Sequence, residues 1–182
     1  GPKITDLSSV QRKSLMKQTF IKAGVPVAPG RVVRTLRDAQ RLVKETGFPL
    51  VAKPDVGVGA AKTYKIHSHA ELENFFLEKP VVDYIMEAFI DGIILTFDGL
   101  TDRDGNLVFS SSMQYSQGIM ETVNDGTHVY YYTLREIPPD LEDLGRRVLK
   151  AFDVRERFFH FEFFRDAQGQ LIALEVNMRP PG

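Results

Sequence analysis

Residues 158–179 read FFHFEFFRDAQGQLIALEVNMR, in which two apolar runs flank a short polar segment containing Gly169. The pattern predicts a β-hairpin whose strands cover 158–164 and 171–178. Because side chains alternate between the two faces of a strand, each strand carries one row of polar residues among apolar ones. These rows are His160 and Glu162 on the first strand, and Glu175, Asn177 and Arg179 on the second.

The carboxylates of the two strands are expected to lie close together. If Arg165 pairs with Gln170, Glu162 lies opposite Ala173 and diagonal to Glu175 on the same face, about 7–8 Å away at Cα. At that separation both carboxylates can reach one ion. Since both strands are otherwise apolar, we expect the pair to be buried, and two buried carboxylates repel each other unless a cation joins them.

Glu162, Glu175 and Asn177 therefore form a candidate site for Mg²⁺ or Mn²⁺, because these ions prefer hard oxygen ligands. The alternative interpretation is an edge hairpin whose two glutamates face solvent, with Arg179 pairing one of them. His160 is interpreted either as a packed core histidine or as a residue that supports a ligand.

A second candidate site begins at Lys53, which ends a predicted strand over 48–53 and precedes a loop containing Gly57, Gly59 and Lys62. Backbone N–H groups of such a loop can approach phosphate oxygens while lysines supply positive charge. The loop lacks the signature of a Walker A motif and the G-x-G-x-x-G fingerprint. A glycine-containing turn with a surface lysine is the equal alternative.

Residues 86–92, MEAFIDG, predict an apolar strand that turns at Gly92. The backbone edge of such a strand can read an adenine ring. The alternative interpretation is a strand of the hydrophobic core.

The rest of the chain alternates helix and strand signals. Ser8 and Ser9 predict the cap of a single helix that runs to about Ala23. Capping-box patterns that begin at Thr35 and Ser68 predict two further helices. The layout predicts an α+β fold with two lobes.

The composition excludes several classes of protein. A chain of 182 residues, 43% hydrophobic and 26% charged, suits one domain or two small lobes of one. The absence of cysteine excludes a disulfide scaffold, a thiolate zinc site and a cysteine nucleophile. No apolar run approaches about 18 residues and no signal peptide opens the chain, so we expect a cytoplasmic protein. The initial Gly1-Pro2 is interpreted as the scar of a cleaved tag.

The charge is unevenly divided along the chain. Residues 1–67 contain 13 Lys and Arg against 4 Asp and Glu, whereas residues 68–182 contain 10 against 20. This division predicts an interaction with a charged partner such as a phosphate, a metal or a nucleic acid. Two solvated faces of opposite sign are the alternative.

Taken together, these segments resemble the ATP-grasp superfamily from about residue 10 to residue 182. The resemblance is closest to the branch of biotin carboxylase and carbamoyl-phosphate synthase and to its carboxylate–amine ligase relatives. The most specific part is a Glu on one strand, Glu162, followed on the next strand by the Glu-x-Asn-x-Arg pattern of 175–179.

The resemblance implies an α+β, two-lobed ATP-grasp fold in which each lobe is an antiparallel-rich sheet with helices and the nucleotide lies between them. It implies one domain over 3–182, with a small basic lobe at 24–87 that carries the glycine flap and a larger acidic lobe at 88–182. It also implies that a preceding α/β domain and a C-terminal remainder are missing.

The resemblance assigns roles to individual residues. Lys13, Lys53 and Lys62 would contact the nucleotide phosphates, under a flap containing Gly57 and Gly59. The adenine hinge would be formed by Glu87, Ala88, Phe89 and Ile90. The magnesium ligands would be Glu162, Glu175 and Asn177, with Arg179 and Lys53 as catalytic residues, Arg179 facing the transferred phosphoryl group.

The implied function is that of an ATP-dependent ligase that activates a carboxylate as an acyl phosphate for attack by an amine, with ATP and Mg²⁺ or Mn²⁺ as cofactors. The expected partners are ATP, a small carboxylate, an amine and other domains of the parent chain, and we expect neither nucleic acid nor membrane. Ile94 stands where the family often has an acidic residue near the ribose. It keeps open the alternative of a non-catalytic or degenerate ATP-binding module.

Overall fold

A computed structural model describes residues 8–57, 62–115 and 130–181. Gly59 of the predicted flap lies outside these residues. The elements run in the order α1 (Ser8–Gln11), α2 (Lys13–Lys22), β1 (Gly30–Val33), α3 (Leu36–Thr46), β2 (Leu50–Pro54), β3 (Tyr64–Ile66), α4 (His69–Glu78), β4 (Tyr84–Ala88), β5 (Gly92–Thr101), β6 (Leu107–Ser111), β7 (Met113–Tyr115), β8 (Tyr131–Thr133), α5 (Pro139–Ala151), β9 (Arg157–Asp166) and β10 (Leu171–Asn177).

The chain forms two antiparallel sheets with helices packed on them, in agreement with the predicted α+β class. The small sheet has the strand order β1-β4-β2-β3, and the large sheet has the order β10-β9-β5-β7-β8, with β6 also paired to β5. The chain crosses from one sheet to the other between Ala88 and Gly92.

The small sheet buries one face against α3 and α4. Thr35 and Ser68 cap these helices, since each side chain accepts a hydrogen bond from the backbone N–H three residues on. Both predicted helices and their N-caps are therefore confirmed. The core of this lobe includes Leu42 from α3, Leu72 from α4 and Met86 from β4.

The large sheet has one apolar face and one polar face. Phe97 of β5 and Phe159, Phe161 and Phe163 of β9 lie in the core, where α2 and α5 cover them. Residues between these phenylalanines point to the opposite face because side chains alternate along a strand. The period-2 pattern of the sequence thus divides β5 and β9 into a packing face and a polar face.

The register of the final hairpin differs from the predicted one. Leu171 pairs with Arg165, and an irregularity at Leu174 then brings Glu175 directly opposite Glu162, so the predicted pairing of Glu162 with Ala173 is wrong. One cause is the turn, in which the Asp166 carboxylate accepts hydrogen bonds from two backbone N–H groups. The other is the extra residue, Leu174, which shifts the ladder as a β-bulge does.

The predicted single helix over 8–23 is also wrong. Arg12 has an extended backbone, with φ −107° and ψ 118°, and separates α1 from α2. It forms an isolated antiparallel bridge with Val56, in the loop after β2. The helix is therefore interrupted where the chain pairs with another segment, which no local helix signal reveals.

None of the helices among the described residues is both long and apolar enough to span a membrane.

Gly145 of α5 tests how tightly the helix packs on the large sheet. A Cβ atom at this position would overlap the ring of Phe97. We expect Gly145→Ala to lower the free energy of unfolding by about 1–3 kcal/mol, although alanine is the better helix former, because the overlap forces the ring or the helix to move. Urea denaturation measures this change.

Phe97→Leu supplies the matched background for that experiment, since leucine removes the ring that the new methyl group would meet. The cost of Gly145→Ala is expected to be smaller there by at least about 0.5 kcal/mol, as in a double-mutant cycle of contacting residues. Equal costs in both backgrounds would show that Phe97 does not limit the packing.

Candidate functional site

Two carboxylates face each other on the polar face of the large sheet. Glu162 and Glu175 are direct partners in the ladder, with side-chain exposures of 8% and 25%. Burial, together with the charge of Glu162, raises the pKa of the Glu175 carboxyl. A cation between the two carboxylates would remove this mutual repulsion.

Asn177 extends the pair along the same face, where it is the ladder partner of His160. Its Nδ2 atom is buried and has no hydrogen-bond partner in the described part of the chain. Because the amide oxygen and nitrogen are assigned from their hydrogen bonds, an unpartnered amide can also turn its oxygen toward an ion.

The donor set fits Mg²⁺ or Mn²⁺. Two carboxylates and an amide oxygen are hard ligands, and Mg²⁺ is commonly held by one or two carboxylates, with water and substrate phosphates completing the shell. No group of three or more His, Asp or Glu side chains within residues 8–57, 62–115 and 130–181 is arranged to hold a metal. The remaining ligands would therefore come from phosphate and water.

Behind the pair, a buried line of polar side chains fixes one of the two glutamates. His160 Nδ1 lies 2.6 Å from Asp98 Oδ1 and His160 Nε2 lies 2.8 Å from Glu162 Oε1. Burial alone would lower the pKa of His160, but hydrogen bonds to Asp98 and Glu162 raise it to about 9. The ring is therefore protonated at neutral pH and donates to both carboxylates, which leaves Glu162 Oε2 for another partner.

Thr96 and Asp98 of this line are residues that the sequence reasoning missed. Thr96 Oγ1 donates to Asp98 Oδ2 at 2.5 Å and accepts from the Met113 backbone N–H at 2.9 Å. The signal was available, since Thr96 and Asp98 stand at alternate positions within β5, which is otherwise apolar up to Thr101 at its end. That pattern places both on one face beside the neighbouring strand.

A group of lysines lies across from the carboxylates. Lys13 Nζ is 4.0 Å from Glu175 Oε1 and donates to the Gly57 carbonyl at 2.7 Å. Lys53 Nζ is 2.7 Å from Glu87 Oε2. Two of the lysines that were predicted to contact phosphate thus each lie beside a carboxylate, Lys13 beside Glu175 and Lys53 beside Glu87.

Lys17 is a third lysine, which the sequence reasoning missed. Its Nζ lies 2.6 Å from Glu87 Oε1 and donates to the Ala28 carbonyl. The signal was its spacing of four residues from Lys13, which places both on one face of α2. Lys13, Lys17, Lys53 and Glu87 line one narrow crevice together with Leu174.

Glu87 belongs to the predicted hinge, yet its side chain enters this lysine group. Burial alone would raise the pKa of its carboxyl, but the charges of Lys53 and Lys17 outweigh burial and lower the pKa to about 2. Glu87 is therefore ionised and joins α2 to β2 electrostatically.

Asp55 positions the first lysine by capping α2 from outside the helix. Its backbone carbonyl accepts from Lys13 N at 2.8 Å and its Oδ1 accepts from Ser14 N at 2.8 Å. Arg12, the residue before α2, provides no side-chain cap of its own. The loop that follows Lys53 thus holds the helix that carries Lys13.

The other predicted site residues are less closely grouped. Ala88 ends β4, and the Phe89 ring lies 3.6 Å from Lys65 Nζ in a cation–π contact. Lys62 is exposed and has a positive φ of 64°. Arg179 is exposed, and its Nη1 donates to the Pro180 carbonyl at 2.9 Å.

Tyr115, the last residue of β7, lies near Glu162 and Asp98. Burial, with the charges of Glu162 and Asp98 nearby, raises the pKa of its hydroxyl to about 12. The tyrosine is therefore neutral at physiological pH and can donate a hydrogen bond into the site.

Comparison with known proteins gives a consistent result. Residues 46–182 match the family model of the ATP-grasp domain. The chain is 26% identical over 191 residues to the L-arginine-specific L-amino acid ligase of Bacillus subtilis, covering 100% of this chain and 46% of that protein. It is 22% identical over 161 residues to the C-terminal section of the carbamoyl phosphate synthase large chain of Aquifex aeolicus, covering 85% of this chain and 30% of that protein.

Among solved structures, an ADP complex of N5-carboxyaminoimidazole ribonucleotide synthetase superposes with a TM-score of 0.79 at 17% identity, over 97% of this chain and 46% of that one. At this identity the likeness concerns the fold. The chain spans less than half the length of each of these three proteins.

Glu87→Gln is expected to change the acid sensitivity of folding. The pKa of the Glu87 carboxyl is about 2 in the folded protein, against an ordinary value of 4.5. The ionised carboxylate therefore stabilises the fold fully at a pH above 4.5, and this stabilisation is lost as the pH falls toward about 2. The difference in unfolding free energy between wild type and variant should shrink by about 2 kcal/mol from about pH 6 to about pH 3. Urea denaturation at both pH values measures it.

Glu73→Gln, at an exposed position of α4, is the matched control and should show no such shrinkage. A difference for Glu87→Gln that stays constant with pH would contradict the assigned ion pairs.

Proposed function

Since the chain belongs to the ATP-grasp family, we propose that it is the ATP-binding catalytic part of a ligase that activates a carboxylate as an acyl phosphate. The observation that carries the proposal is the opposition of Glu162 and Glu175 across from Lys13. Acidic and basic groups that lie this close to each other suit a ligand that carries both phosphate and a divalent cation.

In this proposal Lys13 and Lys53 bind the phosphates of ATP by replacing their present carboxylate contacts with phosphate oxygens. Lys17 holds Glu87 in place while Lys53 exchanges partners. Glu162, Glu175 and Asn177 would hold Mg²⁺ or Mn²⁺, which when bound neutralises charge on the phosphates during transfer. Gly57, Gly59 and Lys62 belong to the segment that would cover them.

The reaction needs alignment and charge neutralisation more than covalent help. An oxygen of the substrate carboxylate attacks the γ-phosphorus, the bond to the β–γ bridging oxygen breaks, and ADP leaves. An amine then attacks the acyl carbon and inorganic phosphate departs. Arg179 would stabilise the transferred phosphoryl group, and Lys53 the charge that develops on the ADP oxygens.

Amino acids are the first carboxylates and amines to examine, because one relative is named an L-amino acid ligase. Ile94, the departure that kept open a degenerate binding module, is 2% exposed and shares the polar face of β5 with Thr96 and Asp98. An apolar side chain thus stands where the family often has an acidic one, and the binding module stays the alternative function. The division into lobes at 24–87 and 88–182, the additional domains as partners and the cytoplasmic location stay predictions.

Glu175→Gln tests the metal site. We expect the ratio of ATP affinities with and without Mg²⁺ to fall by at least about tenfold, since a first ligand should matter at least as much as an outer partner of a ligand. Calorimetry of ATP binding in both conditions measures the ratio. Because Glu175 lies 4.0 Å from Lys13, the variant also changes how strongly Lys13 attracts phosphate. This change affects ATP binding with and without Mg²⁺ alike, so it cancels in the ratio.

Glu136→Gln, at an exposed position outside the sheets, is the control and should keep the wild-type ratio. An unchanged ratio in Glu175→Gln would overturn the assignment of the ligands. A screen of ADP release with pairs of amino acids separates the two functions, because a binding module would bind ATP and release no ADP with any pair.

A further inference from the structure

The two glutamates of the candidate metal site are held very differently. The Glu162 side chain is 8% exposed, and its Oε1 lies 2.8 Å from His160 Nε2. The Glu175 side chain is 25% exposed, and its Oε1 lies 4.0 Å from Lys13 Nζ. Glu175 can therefore turn to suit a ligand, whereas Glu162 is fixed by the ring beside it.

The ring of His160 is itself fixed by a buried chain of hydrogen bonds. Its Nδ1 lies 2.6 Å from Asp98 Oδ1, and the other Asp98 oxygen accepts from Thr96 Oγ1 at 2.5 Å. Thr96 Oγ1 accepts in turn from the backbone N–H of Met113. Thr96, Asp98 and His160 are each at most 2% exposed. The ring cannot leave Glu162 without leaving a buried polar atom unpaired, which is costly.

This arrangement leaves Glu162 with one oxygen for a cation. Its Oε1 is engaged by the His160 ring, so Oε2 is the oxygen that can coordinate an ion between Glu162 and its ladder partner Glu175. A cation that took both oxygens of Glu162 would have to share Oε1 with the ring nitrogen. The ring thus limits how many ligand atoms this carboxylate can offer.

Divalent cations differ in how much such a limit costs them. Mg²⁺ is small, demands a nearly octahedral shell at about 2.0–2.1 Å and is satisfied by one or two carboxylates with phosphate and water. Ca²⁺ takes about six to eight oxygens at about 2.3–2.6 Å and can use both oxygens of one carboxylate. A carboxylate with one oxygen withheld therefore suits Mg²⁺ and deprives Ca²⁺ of a ligand.

We propose that His160 is a positioning residue that selects the cation: by engaging Glu162 Oε1 it restricts this ligand to one oxygen and favours Mg²⁺ over Ca²⁺ in the complex with ATP. The inference rests on the proposed function, which supplies the nucleotide and the cation. The ligands alone do not make this choice, because carboxylate and amide oxygens suit both cations. Asp98 and Thr96 act one step further back, by holding the ring.

The test compares two amide variants of the 182-residue chain. His160→Asn places an amide nitrogen where Nδ1 stands, so it can still donate to Asp98 but releases Glu162 Oε1. His160→Gln places an amide nitrogen where Nε2 stands, so it can still donate to Glu162. Both variants replace the ring by an uncharged amide and are thus matched controls for each other. Calorimetry of ATP binding with Mg²⁺ and with Ca²⁺ gives the ratio of the two affinities for each protein.

Wild type should bind ATP more tightly with Mg²⁺ than with Ca²⁺. His160→Asn should lower the Mg²⁺/Ca²⁺ ratio by about tenfold, a loss typical of removing the outer partner of a metal ligand, while His160→Gln stays within about twofold of wild type. The double variant Asp98→Leu/His160→Phe releases the same oxygen without leaving Asp98 as an unpaired buried charge, and it should lower the ratio as well. A general loosening of the fold would weaken ATP binding with both cations and leave the ratio unchanged.

An unchanged ratio in His160→Asn, or an equal fall in both amide variants, would overturn the inference, because release of Glu162 Oε1 would then not govern the choice of cation. A wild type that binds ATP without preference for Mg²⁺ would overturn it too, and ATP binding would still support the proposed function. A wild-type chain that binds ATP with neither cation would contradict the proposed function itself.

Discussion

The capping of α2 by Asp55 is the contact on which the rest of the site depends. α2 begins with a lysine and has no cap of its own, so its first N–H groups require acceptors from elsewhere. Asp55 supplies them from the loop after β2 and is itself 3% exposed. One buried aspartate thereby fixes the distance between the helix with Lys13 and the strand with Lys53.

Electrostatics then complete the arrangement. Buried lysines need partners, and here Glu87 and Glu175 provide them from β4 and β10. Each of these carboxylates comes from a different sheet, so the lysine group joins the two lobes through charge. The basic first third of the sequence supplies these lysines and the acidic remainder supplies these carboxylates. The uneven charge along the sequence is therefore explained in part by these contacts, although only a few of the charged residues take part.

Patterns that depend on local chemistry could be predicted from the sequence. The hairpin of 158–179, the caps at Thr35 and Ser68 and the common face of the two glutamates follow from periodicity and capping rules. The cap by Asp55 and the bulge at Leu174 could not be located, because each depends on which distant segments meet. Lys17, Thr96 and Asp98 were within reach, since helical and strand spacing mark them.

The bulge at Leu174 has a consequence for how related sequences can differ. Ala173 pairs with Phe163 and Glu175 with Glu162, so Leu174 lies between two pairs and has no ladder partner. Its side chain nevertheless lines the crevice beside the lysines. Position 174 is therefore a place where evolution can reshape the wall of the crevice, by changing one residue's size or polarity, without moving the carboxylates that the ladder holds in register.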